Sequence, residues 1–377
     1  MKKTFLDLVE EPFASTLDAN GIKIPTEVQE EAIPVILAHE DVIVRSKTGT
    51  GKTLTYLLPI LKKVDMSIKA PQAVILTPTH ELAIQVNKQV ELFYGDNMPT
   101  SAVLIGGVNV KRQLEKLKEK PRIIVGSAGR ILQLLKMKKL SVHNVKTVVI
   151  DEADRLLDEK NLQEVLAVIK YTLKDRQLLF FSASMSDNSI ATAESISKAV
   201  KYVNVSGKMS LPTNIEHMYF QCEKRDKIEI LRKLISSEKI EKGIIFMNNE
   251  FDLDKFVDKL NYHGIKCSSI SGNLRKIDRQ NSLANFRNGN TKLLLASDLA
   301  SRGLDIKGVT HIINLDLPDD PTIYLHRVGR TGRMDEKGIS ICICEPKEVR
   351  NVKVYEKKHK IIISEKVMSY GKILDKK

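Results

Sequence analysis

Eight residues near the front of the chain have the types and spacing to hold a phosphate: Ser46-Lys47-Thr48-Gly49-Thr50-Gly51-Lys52-Thr53. They follow the β-branched run Val42-Ile43-Val44 and precede a helical pattern over residues 54–63, the order that a phosphate-binding loop requires. Gly49 and Gly51 lack Cβ atoms, so the backbone can curl until successive N–H groups face phosphate oxygens. The helix that follows adds the positive end of its dipole. In such a loop Lys52 reaches the β- and γ-phosphates and the Thr53 hydroxyl holds Mg2+. Ser46 stands where the general pattern has Gly. A Gly/Thr turn before a helix is the plain alternative, but it does not require Gly-Lys-Thr after a strand. The loop predicts a bound nucleoside triphosphate.

A second cluster completes the chemistry. Val148-Val149-Ile150 delivers Asp151-Glu152-Ala153-Asp154 to the end of a strand. Asp151 suits Mg2+ held through its waters, and Glu152 suits the orienting of an attacking water. An acidic helix cap, common after strands, predicts neither the whole run nor a phosphate loop upstream.

The elements that must position these groups read as two α/β halves. Strands are predicted at 42–45, 73–77, 102–105, 122–126, 147–151 and 177–182, with helices between them, notably at 80–93, 111–119 and 159–170. Such alternation gives a parallel sheet covered on both faces, with ligands beyond the carboxyl ends of its strands. Around Ser206-Gly207-Lys208-Met209-Ser210-Leu211-Pro212 the periodicity lapses into linker-like composition. It restarts with strands at 217–221, 243–247, 267–270, 292–296, 311–315 and 339–344 but without a second phosphate loop. The expected division is 1–206, a linker at 207–213, and 214–377, one half carrying the nucleotide and the other closing on it.

Composition narrows the partners. The 377 residues carry a formal net charge of +13, with 42% hydrophobic and 28% charged residues, as in soluble globular proteins. No apolar run is long enough to span a bilayer and the first residues lack a signal-peptide core, so a cytoplasmic protein is expected. Aromatic content of 5%, with no Trp, favours a surface that grips phosphates over one that stacks bases. Cys342 and Cys344 lie in an apolar strand pattern with no second pair or clustered His nearby, which predicts core residues rather than a zinc site. The charged helix over 111–120 reads as a solvated face, and the basic C-terminal part, rich in lysine, remains partly periodic.

Asp-Glu-Ala-Asp is the signature of DEAD-box RNA helicases, and the resemblance runs through nearly the whole chain. It implies two tandem RecA-like domains, each a parallel sheet with helices on both faces. Gly21-Ile22-Lys23-Ile24-Pro25-Thr26-Glu27-Val28-Gln29 resembles the family's adenine-reading motif, with Phe5 as its upstream aromatic. By that likeness Gln29 hydrogen-bonds adenine, whose edge offers one donor and one acceptor to an amide. Pro78-Thr79-His80-Glu81-Leu82-Ala83, Gly106-Gly107 and Ser127-Ala128-Gly129-Arg130 resemble RNA-binding motifs of the first domain. Ser182-Ala183-Ser184 resembles the element that links hydrolysis to domain closure.

In the second half, Ile244-Ile245-Phe246 is similar to the strand before an RNA-contacting helix. The run from Ser297 through Asp298, Arg302 and Asp305 to Ile306 resembles the motif that touches both RNA and ATP. His326-Arg327-Val328-Gly329-Arg330-Thr331-Gly332-Arg333 is similar to the arginine-finger motif, and Arg330 and Arg333 are its fingers. The family mechanism spreads charge over γ-phosphate oxygens, so a guanidinium that arrives only on closure makes hydrolysis conditional on closure.

One departure falls near adenine, where Ile22 replaces Phe, and the others on the RNA grip. His80 replaces Arg and Ser127-Ala128 replaces Thr-Pro. Lys276-Ile277-Asp278-Arg279 stands for Gln-x-x-Arg, leaving Arg279 as the RNA-facing cation, and Ser271 stands where His is common. The resemblance thus implies an ATP- and Mg2+-dependent, monomeric RNA helicase that locally unwinds or remodels RNA and ribonucleoprotein. Its RNA contacts would run through Pro78, Thr79, His80, Gly107, Arg130, Arg279, Ser297 and Arg302. The ending Leu374-Asp375-Lys376-Lys377 and the bare two-domain core resemble short bacterial members associated with ribosomal large-subunit assembly. The rival reading is an ATP-gated RNA clamp with incidental unwinding. A metabolic kinase or transport ATPase lacks a reason for the arginine motif, and the family likeness opposes a DNA helicase.

Overall fold

Successive residues of a strand point to opposite faces, so a strand buried on both sides divides its side chains between two cores. Val42 and Val44 enter one apolar cluster and Ile43 the other. Ile75 and Val74 divide in the same way. The computed structural model that shows this describes the chain apart from residues 1–3, 47–48, 95–99, 206–213, 239, 250–251, 272–273, 275, 299–305, 307, 333–335, 370 and 377. Contacts divide the protein into two compact units, Met1–Gly207 and Lys208–Lys377.

The first unit is built on β1 (Asp41–Arg45), β2 (Ala73–Leu76), β3 (Ser101–Leu104), β4 (Ile123–Gly126), β5 (Thr147–Asp151), β6 (Gln177–Ser182) and β7 (Val200–Asn204). They form one parallel sheet in the order β3-β4-β2-β5-β6-β1-β7. One face is covered by α1 (Phe13–Ala19), α2 (Glu27–Leu37), α3 (Lys52–Lys63) and α4 (His80–Tyr94), through residues such as Leu17, Ile33, Leu57 and Val86. The other takes α5 (Val110–Lys118), α6 (Ala128–Lys136), α7 (Ala153–Leu156), α8 (Leu162–Tyr171) and α9 (Asp187–Ile196). Two starts are capped by side chains: Asn109 accepts from Lys111 N at 2.9 Å and Ser186 from Ser189 N at 3.2 Å.

The second unit repeats the plan. Its strands are β8 (Ile215–Gln221), β9 (Gly243–Phe246), β10 (Cys267–Ile270), β11 (Leu293–Ala296), β12 (His311–Asn314), β13 (Gly338–Cys344), β14 (Ser364–Ser369) and β15 (Lys372–Asp375). They run in the order β10-β11-β9-β12-β13-β8-β14-β15, parallel except for the terminal β14–β15 hairpin. Its helices are α10 (Lys227–Ser237), α11 (Leu253–Tyr262), α12 (Lys276–Arg287), α13 (Pro321–Val328) and α14 (Val349–His359).

Every strand expected from the sequence is present, with ends within two residues. Three strands were not expected. In β7, an edge strand, only Val203 is buried, and Tyr202 lies exposed. The β14–β15 hairpin is lysine-rich and half-exposed, and its sequence reads as a charged periodic tail. Cys342 and Cys344 are buried in β13, and all four cysteines are free. No helix among the described residues is long and apolar enough to cross a membrane.

Candidate active site

In a parallel sheet every strand delivers its last residue to the same edge, and the residues singled out for chemistry gather there. β1 leads into Ser46 and the glycine loop, β5 ends on Asp151, and β6 ends on Ser182. Gly49 and Gly51 take φ of 86° and 88°, the left-handed region open to glycine at little cost. Lys52 Nζ donates to the Ser46 carbonyl at 2.6 Å, and the Ser46 and Thr50 hydroxyls lie 2.6 Å apart. Lys47 and Thr48 lie outside the described residues.

Asp151 is 4% exposed. Its Oδ2 accepts from the Tyr56 hydroxyl at 2.8 Å, and its Oδ1 accepts from Glu152 N at 3.0 Å. Burial raises its pKa above the ordinary carboxylate value, opposed by the Tyr56 hydrogen bond and the nearby Lys52 charge. Burial likewise pushes the Tyr56 phenol well up. Glu152 adopts φ 52° and ψ 53°, left-handed backbone that costs a non-glycine residue about 1–3 kcal/mol. Such strain persists where surroundings impose it, here between a buried strand end and the start of α7. Asp154, one turn on, accepts from the Ser182 hydroxyl at 2.7 Å and from that of Ser184 at 3.5 Å.

The segment expected to read adenine is tied to the loop. Gln29 is 2% exposed: its Oε1 accepts from Thr26 N at 2.8 Å, closing the cap of α2, and its Nε2 donates to the Gly51 carbonyl at 3.3 Å. Thr26 Oγ1 donates to the Thr50 carbonyl at 2.7 Å. A Cβ on Gly51 would stand 2.5 Å from Gln29 Nε2, so this glycine admits the amide as well as the turn. Gln29 thus braces the loop here instead of presenting an open amide. Phe5 is buried in the core of the first unit.

Beyond β2, β3 and β4 lie the segments expected to face RNA. Thr79 is buried and its Oγ1 accepts from Leu82 N at 3.3 Å, starting α4. The His80 ring sits beside Gly106 and Gly107, the latter at φ 63°. Arg130 donates to the Val108 carbonyl at 3.1 Å. A cleft of about 310 Å3 is lined by Thr77, Pro78, Gly106, Ser127 and Arg130 from these strand ends, joined by Asn161 from the loop before α8. A larger cavity of about 680 Å3 opens at the opposite edge, beside Asp41, Ala73 and Thr147 where strands begin, away from the loop and the acids.

In the second unit the organising residue is Arg327, which sequence reasoning passed over for the arginines after it. It is 2% exposed. Its guanidinium donates twice to Asp298, at 2.6 and 2.7 Å, and also to Asn248 Oδ1, Asn314 Oδ1 and the Asp316 carbonyl. It lies 4.9 Å above the centre of the Phe246 ring. The ends of β9, β11 and β12 are thereby fastened to α13. Arg330 is buried in the turn that follows, its backbone N–H donating to the Arg327 carbonyl at 3.1 Å. Ser297 is buried and Arg279 donates to the Ser271 carbonyl at 3.3 Å. Arg302, Asp305 and Arg333 lie outside the described residues.

A phosphate loop and an acidic strand end on one parallel sheet, followed by a second sheet carrying an arginine motif, define a nucleotide-hydrolysing protein of two RecA-like units. Residues 26–192 match the DEAD/DEAH box helicase family and residues 226–335 the helicase conserved C-terminal domain. The chain is 42% identical to the DEAD-box ATP-dependent RNA helicase CshC of Bacillus cereus, over 95% of this chain and 91% of that one. It is 38% identical to the probable ATP-dependent RNA helicase YfmL of Bacillus subtilis, over 95% of each. The structure of Saccharomyces cerevisiae Dbp5 bound to RNA and ADP BeF3 superposes with a TM-score of 0.89 at 28% identity, covering 96% of this chain and 95% of that one. The chain belongs to the DEAD-box ATP-dependent RNA helicases.

Proposed function

We propose that the loop from Ser46 to Thr53 cradles the phosphates of ATP, with Thr53 and Asp151 holding Mg2+. The supporting observation is a buried Asp151, its carboxylate held by the Tyr56 hydroxyl and lying near the Lys52 charge of the glycine loop. Among the described residues no group of three or more His, Cys, Asp or Glu could hold a metal ion by itself. Two oxygen donors beside a phosphate site fit a hard cation that takes the rest of its shell from phosphate and water. When bound, Mg2+ neutralises charge developing on the phosphates. Lys52 turns from the Ser46 carbonyl to the γ-phosphate, Glu152 orients the attacking water, and Gln29 and Phe5 support the adenine end. Arg330 and Arg333 stabilise transition-state charge as the second unit closes on nucleotide held by the first, and Asp305 meets the nucleotide from that side.

RNA lies along the strand ends that carry Pro78, Thr79, His80, Gly107 and Arg130, and against Arg279, Ser297 and Arg302, gripped by its sugar-phosphate backbone. The units correspond to residues 1–206 and 214–377 joined by 207–213, acting as a monomer in the cytoplasm on RNA that includes ribosomal particles. ATP hydrolysis measured with Mg2+ and matched RNA or DNA tests this reading. Strong stimulation by RNA and little by DNA is expected; equal stimulation would defeat the RNA assignment, and turnover undiminished in EDTA would defeat the Mg2+ site.

A further inference from the structure

Tyr56 lies on α3, three residues after Thr53, and reaches across to the end of β5. Its ring is fully buried and meets Phe181 edge-on, centroids 5.1 Å apart. The neighbours along α3 are Leu54, Leu57, Leu58 and Ile60, so phenylalanine would fill the same space. Packing does not account for the hydroxyl. A buried phenol needs a partner, and this one donates to Asp151 Oδ2 at 2.8 Å. The bond joins the helix that carries Thr53 to the acidic end of β5.

We propose that Tyr56 is a positioning residue for the Mg2+ site, holding Asp151 in the orientation that receives the cation. The inference rests on the assignment of Asp151 to Mg2+ given above. Its physical content is a matter of direction. Tyr56 on Oδ2 and Glu152 N on Oδ1 fix the carboxylate against rotation. Without the phenol the carboxylate keeps one of these two donors and can turn away from the cation. Groups that orient metal ligands from behind in this way typically contribute ten- to a hundredfold to metal affinity.

The test is a Mg2+ titration of a fluorescent ADP bound to the full chain, wild type against Tyr56→Phe. The variant should unfold near the wild-type temperature and bind nucleotide in EDTA as wild type does. Its Mg2+ half-saturation should rise roughly tenfold. A hydroxyl that merely satisfies burial would move the melting temperature and leave the Mg2+ dependence alone, and that result overturns the inference. If wild-type nucleotide binding ignores Mg2+ altogether, it is the underlying metal assignment that fails. Should Tyr56→Phe not fold, 4-methylphenylalanine at position 56 carries the test. Its methyl group takes the hydroxyl's space with no proton to give Asp151, so a raised half-saturation supports the inference and an unchanged one removes it.

Discussion

The two units share a sheet plan yet bury opposite charges at the carboxyl ends of their strands. In the first, Asp151 is withdrawn from water with a phenol and one backbone N–H as donors, and burial works against its charge. In the second, Arg327 is withdrawn as completely but makes five hydrogen bonds, two of them to Asp298. The acid's demand for positive charge is met only in part, by the nearby Lys52, which suits a group that will meet a cation. The base has its demand met within its own unit, which suits a fastening. A strand end on this fold becomes a reaction site or a structural joint according to whether its buried charge is balanced in place.

The largest effect that would sharpen this contrast belongs to Arg330, which follows the fastened helix. Arg330→Ala should lower RNA-stimulated turnover by about 10³-fold or more while ATP affinity stays near wild type. Lys52→Ala should instead lose nucleotide affinity, and Glu152→Gln should bind ATP and retain RNA without turnover. Steady-state ATPase rates beside nucleotide titrations separate the three. Wild-type turnover in Arg330→Ala would leave the second unit without a chemical role.

Next in size is the joint itself. Asp298→Ala strips Arg327 of its charged partner inside the protein, a change that costs about 3–5 kcal/mol in buried pairs. Urea unfolding should show the loss, and hydrogen exchange should place it in β9, β11 and β12. An unmoved midpoint would mean that Arg327 does not depend on Asp298, and the contrast between the units would fail.

A third effect arises in the same unit from His217, buried against Tyr324 with Nδ1 2.9 Å from its hydroxyl. Burial, aided by His359, pulls its pKa down to about 4. The unfolded chain therefore takes up the proton first as pH falls below about 6.5, and stability drains between there and about pH 4. From pH 7 to pH 5 this amounts to about 2 kcal/mol, at 1.36 kcal/mol per unit. His217→Gln keeps a polar partner for Tyr324 without titrating, so its urea midpoint should fall less over that interval. Equal falls in both proteins would show that His217 is not held neutral.

What the sequence made legible follows from how local the signal is. Strands buried on both faces are continuous apolar runs, and the glycine loop and acidic run are contiguous, so fold and nucleotide site could be read directly. Tyr56 and Arg327 could not. Each acts through a partner far along the chain, Asp151 for one and Asp298 for the other, and spacing along a helix does not reveal what a side chain meets across a sheet. One signal was available: a tyrosine among leucines and an arginine beside valine on short buried helices must find polar partners inside. Gln29 shows the converse. Its place in the motif was legible, but its two hydrogen bonds, accepted from Thr26 N and donated to the Gly51 carbonyl, depend on how α2 meets the loop.

The smallest expected effect concerns the RNA face of the first unit. His80 begins α4 and lies beside Gly106 and Gly107, at the strand ends where RNA is proposed to run. Arginine, which the family resemblance places there, is charged at every working pH, whereas histidine loses its charge around neutrality. His80→Arg should therefore add one phosphate contact. That should tighten RNA binding and steepen its salt dependence by roughly 0.7 log units per log unit of salt, the share of one single-strand phosphate. Anisotropy of a labelled poly-U strand across a salt series at pH 8 measures the slope. Arg130→Ala, a little further along the same edge, should lower the slope by a similar amount. Parallel slopes for wild type and His80→Arg would mean that position 80 faces the glycines without reaching RNA, and the track would then begin at Arg130.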